Sequence, residues 1–279
     1  MARWLVFTVS TGGYDLEGSE PALPAGARQG AEWIRLVDSL SFSLLASRAS
    51  LWRTVLLDAS HLSPPLPPSH YAPSPPASSS LASSFSSSLP LTSLALPQNS
   101  SHLSAESARR LSREIKIRPH RFSLVWRYEI SLYLDSNVRV VQPLSPLFRL
   151  ASTHDLAAYD FPRPLDAEAA WVRRFLTTKD PRFTTAAAQE WLNRTLADQV
   201  GRYKRKGDHM WNRTVYGKVI LRRHTKCVHS FGEIWWQEYS SGVPRDQLSF
   251  RYSSREAARQ CGLRVHFGQH HKGRLAGFR

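Results

Sequence analysis

From Ser60 to Ala105 the chain carries no Asp, Glu, Lys or Arg, and half of its 18 prolines fall in that stretch. Serine-rich runs such as residues 78–88 bury too little apolar surface to offset chain entropy, so residues 60–104 read as a disordered insertion. Any fold must then be built from residues 1–59 and 105–279, as one domain split by that insertion. The 279 residues suffice for a core without covalent help. Two cysteines, Cys227 and Cys261, are too few for a disulfide framework or a four-cysteine zinc site, and read as ordinary buried thiols. The net charge of +15 lies wholly on the flanks and points to an anionic partner: phosphates, nucleic acid or an acidic surface. Lys and Arg are dispersed and no nucleic-acid-binding signature is present, so nucleic acid is not the expected partner. No apolar run approaches the ~18 residues of a membrane span. Residues 1–10 hold one positive charge and a short apolar run without an A-x-A site, and read as a first strand.

The flanks alternate between strand and helix patterns. Arg3–Val9 and Trp33–Val37 read as strands, the first closed by Gly12-Gly13 and the second ending at Asp38. Ser107–Lys116 has helical spacing through Ala108, Leu111 and Ile115. Tyr128–Asp135 alternates, with Ile130, Leu132 and Leu134 on one side. Leu165–Leu176, Ala186–Lys204 and Phe231–Tyr239 read as helices, Val219–Arg222 as a strand, and Pro244–Phe250 opens a further helix. Such alternation predicts an α/β sheet with helices on both faces. Ligands in such sheets sit beyond the carboxyl ends of the strands.

Those ends are polar. After the first strand come Thr8, Gly12, Gly13, Tyr14 and Asp15; after the second, Asp38; after the third, Asp135-Ser136-Asn137. An acid closing an apolar strand, with a second oxygen ligand two residues on, can chelate Mg²⁺ or Mn²⁺ shared with substrate phosphates. The same three residues also suit an ordinary turn. Arg113, Lys116, Arg118, His120 and Arg121 precede that strand and could face a diphosphate or solvent. Arg222, Arg223 and His224 close another strand. Asp246 stands near a helix N-terminus, where the dipole favours a carboxylate.

Phe7–Asp15, Ser112–Phe122, Tyr128–Pro143, Val219–His224 and Phe231–Phe250, with Trp235-Trp236 and Arg245–Phe250, together resemble the glycosyltransferase-like family of turgor-regulation-defect and mucilage-related proteins (TOD/MUCI type). The resemblance implies a GT-A-like, Rossmann-like nucleotide-sugar transferase sheet with one bound Mn²⁺ or Mg²⁺. It implies transfer of a hexose from a nucleotide diphosphate sugar to a hydroxyl of a glycan or polysaccharide, in the Golgi; with no entry signal read in the sequence, the alternative compartment is the cytoplasm. Asp135 then matches the metal-binding acid and Asn137 its companion, with His266, or His270 beyond it, as a third ligand near the C-terminus. Thr8, Gly12, Gly13, Tyr14, Asp15 and Asp38 match positions facing the nucleotide. Arg113, Lys116, Arg222 and Arg223 would offset diphosphate charge. Asp246, beside Arg245, matches the acid near donor sugar or acceptor, acting as general base or orienting group. Three departures stand out: Ser136 replaces an expected glycine, the insertion interrupts the region after the second strand, and the chain starts directly in the first strand where plant relatives carry an upstream membrane anchor. The family also includes an alkaline ceramidase association, so a lipid hydrolase is one alternative and a catalytically inactive basic binding protein another. Asn99, Asn193 and Asn212 open glycosylation sequons, usable if the chain enters the secretory pathway.

Overall fold

A computed structural model describes residues 4–10, 31–37, 53–56, 105–138, 140–206 and 212–269. The low-charge segment 60–104 and the candidate residues Gly12, Gly13, Tyr14, Asp15, Asp38, His270 and His271 lie outside the described residues.

Strands β1 (Trp4–Ser10), β2 (Ala31–Val37), β3 (Arg53–Leu56), β4 (Ile130–Leu134), β5 (Leu156–Phe161), β6 (Thr214–Arg223) and β7 (Val265–Gly268) form one sheet in the order β3-β2-β1-β4-β6-β5-β7. Strands from both sides of the low-charge segment thus share a sheet: Phe7 of β1 stands beside Tyr133 of β4. Every neighbouring pair is parallel except the two made by β6, which runs antiparallel to β4 and to β5. The carboxyl ends of β1, β2, β4, β5 and β7 therefore lie at one edge of the sheet, together with the amino end of β6.

Period-two patterning fixes which residues meet which layer. Leu5, Phe7 and Val9 point into the larger core with Ile34, Leu36, Tyr133 and Ile220. That core is closed by Leu111 and Ile115 of α1 (Ala105–Ile117), Phe231 and Trp235 of α6 (Lys226–Ser241), and Phe250 and Ala257 of α7 (Asp246–Cys261). Val6, Leu132, Leu134, Val219 and Leu221 point the other way, against Phe148 of α3 (Ser145–Arg149). A short α2 (Ser123–Trp126) precedes β4. The helices α4 (Leu165–Lys179) and α5 (Ala186–Arg205) pair through Val172, Leu176, Leu192 and Leu196. All five residues of β4 are buried, as expected of a central strand covered on both faces.

Most predicted elements form, several of them longer. The predicted strand at Val219 begins at Thr214, and the helix at Phe231 begins at Lys226 under a Thr225 side-chain cap. Three strands went unread. β3 has four residues, β5 is alanine-rich and lacks alternation, and β7 lies in what reads as a solvated tail.

The cysteines differ from expectation. Cys227, in the first turn of α6, and Cys261, at the end of α7, form a disulfide, and Cys261 is exposed. They are spatial neighbours because α6 and α7 are antiparallel, a relationship that spacing alone does not reveal.

Candidate active site

Asp135 sits one residue past β4, its backbone N–H donating to the carbonyl of Lys218 at 2.8 Å. Tyr133 lies two residues earlier on the same face, and its hydroxyl donates to Asp135 Oδ1 at 2.6 Å. The ammonium of Lys116, in the last turn of α1, lies 3.5 Å from that same oxygen and 5.1 Å from the centre of the Tyr133 ring. Asp135 Oδ2 carries no such contact among the described residues, and the side chain is a quarter exposed. Asn137 follows on the exposed side of the turn.

Lys116 also lies 2.6 Å from Asp246 Oδ2, and Arg113, one helical turn earlier, is 3.7 Å from the same oxygen. Asp246 opens α7, held in register by the indole N–H of Trp235, which donates to the Asp246 carbonyl at 2.9 Å. Gly217 on β6 lies beside this approach. A Cβ there would stand 3.5 Å from Lys116 Nζ and 3.7 Å from Asp246 Oδ2, in contact with both. Burial pushes the Asp246 carboxyl up, but Lys116, Arg113 and Arg245 outweigh it and hold it well below the usual carboxylate range. Asp246 in turn is the main reason that the Arg113 guanidinium is held above its ordinary value, against the effect of burial. Burial, with the neighbouring Asp135 charge, pushes the Tyr133 hydroxyl well up, so it remains a proton donor.

The structure thus brings Arg113, Lys116, Asp135 and Asp246 to one edge. Thr8 belongs to the same end of β1: its neighbour Phe7 stands beside Tyr133, and the Thr8 hydroxyl is buried with no hydrogen-bond partner among the described residues. Arg245 stacks over Trp171 at 4.7 Å and contacts Glu168 at 3.4 Å and Gln247. Tyr133, Gly217 and Trp235 were not among the expected site residues. A glycine interrupting an apolar strand was the available signal for Gly217.

Two expectations are corrected. Arg222 and Arg223 close β6, but β6 runs antiparallel, so they lie at the opposite edge from Asp135, beside Ser131 and Ile130. Arg222 is fully buried and donates to the Lys116 carbonyl at 2.7 Å; burial lowers it to about 9. Arg223 binds Asp155 at 2.8 Å. His266 does not reach Asp135 either. On β7, three strands from β4 and so about 14 Å across the sheet, it pairs with Ala157 of β5, and its ring faces His154. Of the two roles expected for Asp246, general base or orienting group, a carboxylate buried between two cations favours the second.

The hard oxygen donors of Asp135 and Asn137 fit Mg²⁺ or Mn²⁺, which keep most of their coordination for water and phosphate. His120, His229 and Glu233 form a separate cluster at the other end of β4.

Comparison with known proteins decides the family. The profile of the TOD1/MUCI70, glycosyltransferase-like domain matches residues 101–272. The chain belongs to the TOD1/MUCI70 family. Its sheet is the α/β sheet with helices on both faces that the strand–helix alternation predicts. Among solved structures, the apo form of mouse xyloside xylosyltransferase 1 aligns with a TM-score of 0.45 at 10% identity, over 95% of this chain and 84% of that one. The curated proteins returned no match. Among the described residues, no helix of this TOD1/MUCI70 domain is long and apolar enough to cross a membrane.

Proposed function

We propose that this TOD1/MUCI70 domain transfers a hexose from a nucleotide diphosphate sugar to a hydroxyl of a glycan or polysaccharide, with a divalent cation held by Asp135 and Asn137. The observation that carries this reading is the state of Asp135. One carboxylate oxygen is fixed by Tyr133 and Lys116, while the other has no such partner among the described residues, at the carboxyl edge of the sheet. When bound, Mn²⁺ or Mg²⁺ would supply a Lewis acid to offset charge on the leaving diphosphate. The protein's own groups do the rest. Arg113, a third exposed, presents a fixed positive charge beside that position. Lys116 is buried, and spans Asp135 and Asp246 so that the two acids keep a fixed separation. Asp246 orients Arg113 and the acceptor side of the site, with Arg245 beside it. Thr8, near the carboxyl end of β1, faces the nucleotide in this reading; Gly12, Gly13, Tyr14, Asp15 and Asp38 keep the nucleotide-binding role that the resemblance implies and lie outside the described residues.

A lumenal, Golgi-type compartment accompanies this reading. The Cys227–Cys261 disulfide suits an oxidising environment, and the sequon residues Asn193 and Asn212 are exposed.

A donor screen tests the activity. Incubation with UDP- and GDP-sugars, with and without Mn²⁺, should release the nucleoside diphosphate from one donor in a metal-dependent manner. Fatty-acid release from ceramide, with no nucleotide released from any donor, would overturn it in favour of a hydrolase.

A further inference from the structure

We propose that His120, His229 and Glu233 form a second metal site, for Zn²⁺ or a similar borderline divalent ion, at the opposite end of β4 from Asp135. His229 and Glu233 stand four residues apart on α6 and so share one face of that helix. His120 comes from the single turn Pro119–Arg121 that follows α1. Their ligand atoms all lie within 4.8 Å of one another. His120 Nε2 is 2.7 Å from Glu233 Oε1, and His229 Nε2 is 3.9 Å from that same oxygen. Two imidazoles and one carboxylate are the donor set of three-ligand zinc sites, which keep a fourth position for water. The hard oxygen pair at Asp135 and Asn137 selects differently.

The surroundings of the cluster are built for it. His120 is 95% buried and held by Trp126, edge to face at 5.6 Å between ring centres. Gly232 lets α6 close onto that imidazole: a Cβ there would stand 2.9 Å from His120 Cε1 and 3.0 Å from the Ile117 carbonyl. Arg118 contacts Glu233 Oε2 at 3.3 Å and Arg121 contacts Oε1 at 3.1 Å, so the carboxylate has a fixed orientation. These guanidiniums also oppose a cation. Arg118 is itself balanced by Glu114, and Arg121 is half exposed and free to swing into solvent. His229 and Glu233 are solvent-accessible, which gives the ion a route in. His224, stacked on Trp126 at 4.2 Å, shares its Nε2 with the Ser131 hydroxyl and stands outside the three-residue cluster. A bound ion would fasten the turn after α1 to α6, and α1 is the helix that carries Lys116.

The test uses the full-length, metal-stripped protein and Zn²⁺ alone, followed by calorimetry and thermal unfolding, with Co²⁺ alone as a spectroscopic probe. One equivalent of saturable Zn²⁺ binding, a raised Tm and tetrahedral Co²⁺ bands are expected. His229→Ala, at a half-exposed position that tolerates the change, should lose all three. Glu233→Gln should weaken binding at least tenfold. A variant with His270 and His271 both replaced by alanine should retain it. Absence of binding to the wild type, or undiminished binding to His229→Ala with its circular dichroism unchanged, would overturn the proposal.

Discussion

Lys116 Nζ stands 2.6 Å from Asp246 Oδ2, and both side chains are nearly inaccessible to water. Removing one member leaves the other buried with only its more distant partners, Asp135 for Lys116 or Arg113 for Asp246. Asp246→Ala and Lys116→Met should each therefore destabilise the fold by about 3–5 kcal/mol, whereas Lys116→Met combined with Asp246→Leu should recover most of that loss. Urea unfolding of the three variants measures this. A double variant no more stable than either single would refute the pairing. Donor turnover should stay low in all three.

The antiparallel run of β6 separates two arginines that look equivalent in sequence terms. Arg113 faces the Asp135 edge, while Arg223 is bound to Asp155 at the other. Arg113→Ala should weaken donor binding about tenfold or more, with Arg223→Ala close to wild type. Steady-state kinetics with the active donor distinguishes them, and equal losses would place the donor elsewhere.

Stability should fall on acidification in two stages. Burial lowers His224 from 6.5 to about 4, so the unfolded chain takes up this proton first and stability declines as pH drops from 6.5 towards 4. Glu233 is lowered from 4.5 to about 2: burial raises it, but His120, Arg118 and Arg121 together prevail. Its contribution is complete above 4.5 and is lost as pH falls from there towards 2. Urea midpoints measured from pH 7 to 3 should show both stages, and His224→Gln should reduce the upper one, to which His120 and His266, also lowered by burial, contribute as well, and leave the lower one in place.

The disulfide closes a loop with a sequence separation of 34. By chain entropy it should contribute about 3–4 kcal/mol. Cys227→Ser/Cys261→Ser, or reduction of the wild type, should lower the Tm by several degrees without altering the far-ultraviolet circular dichroism. An unchanged Tm would argue that the bridge does not form in solution.

Where one local pattern sufficed, the sequence was readable. Alternation in β4 and the helical spacing of Ala108, Leu111 and Ile115 placed those elements, and they led directly to Asp135 and to the Arg113/Lys116 face. Strand direction is not a local property. Nothing in the run from Val219 to Arg223 states that β6 points the other way, and so Arg222 and Arg223 were assigned to the wrong edge. Pairing across the fold was equally hidden. The Lys116–Asp246 contact joins the end of one helix to the start of another, and no local pattern marks it. Cys227 and Cys261 meet because two helices return on each other. His120 with His229 and Glu233 is a third case, since the basic run around His120 gave no sign of an acid more than a hundred residues on.

The central claim is that the carboxyl edge at Asp135 binds a nucleotide diphosphate together with a divalent cation. Calorimetric titration of UDP and of GDP into wild type and Asp135→Ala, each with and without Mn²⁺, tests it most directly. Wild type should bind one of the two nucleotides more tightly with Mn²⁺ present, and Asp135→Ala, still folded by circular dichroism, should lose the Mn²⁺ enhancement. Binding that is indifferent to Mn²⁺, or an enhancement that survives in Asp135→Ala, would contradict the account.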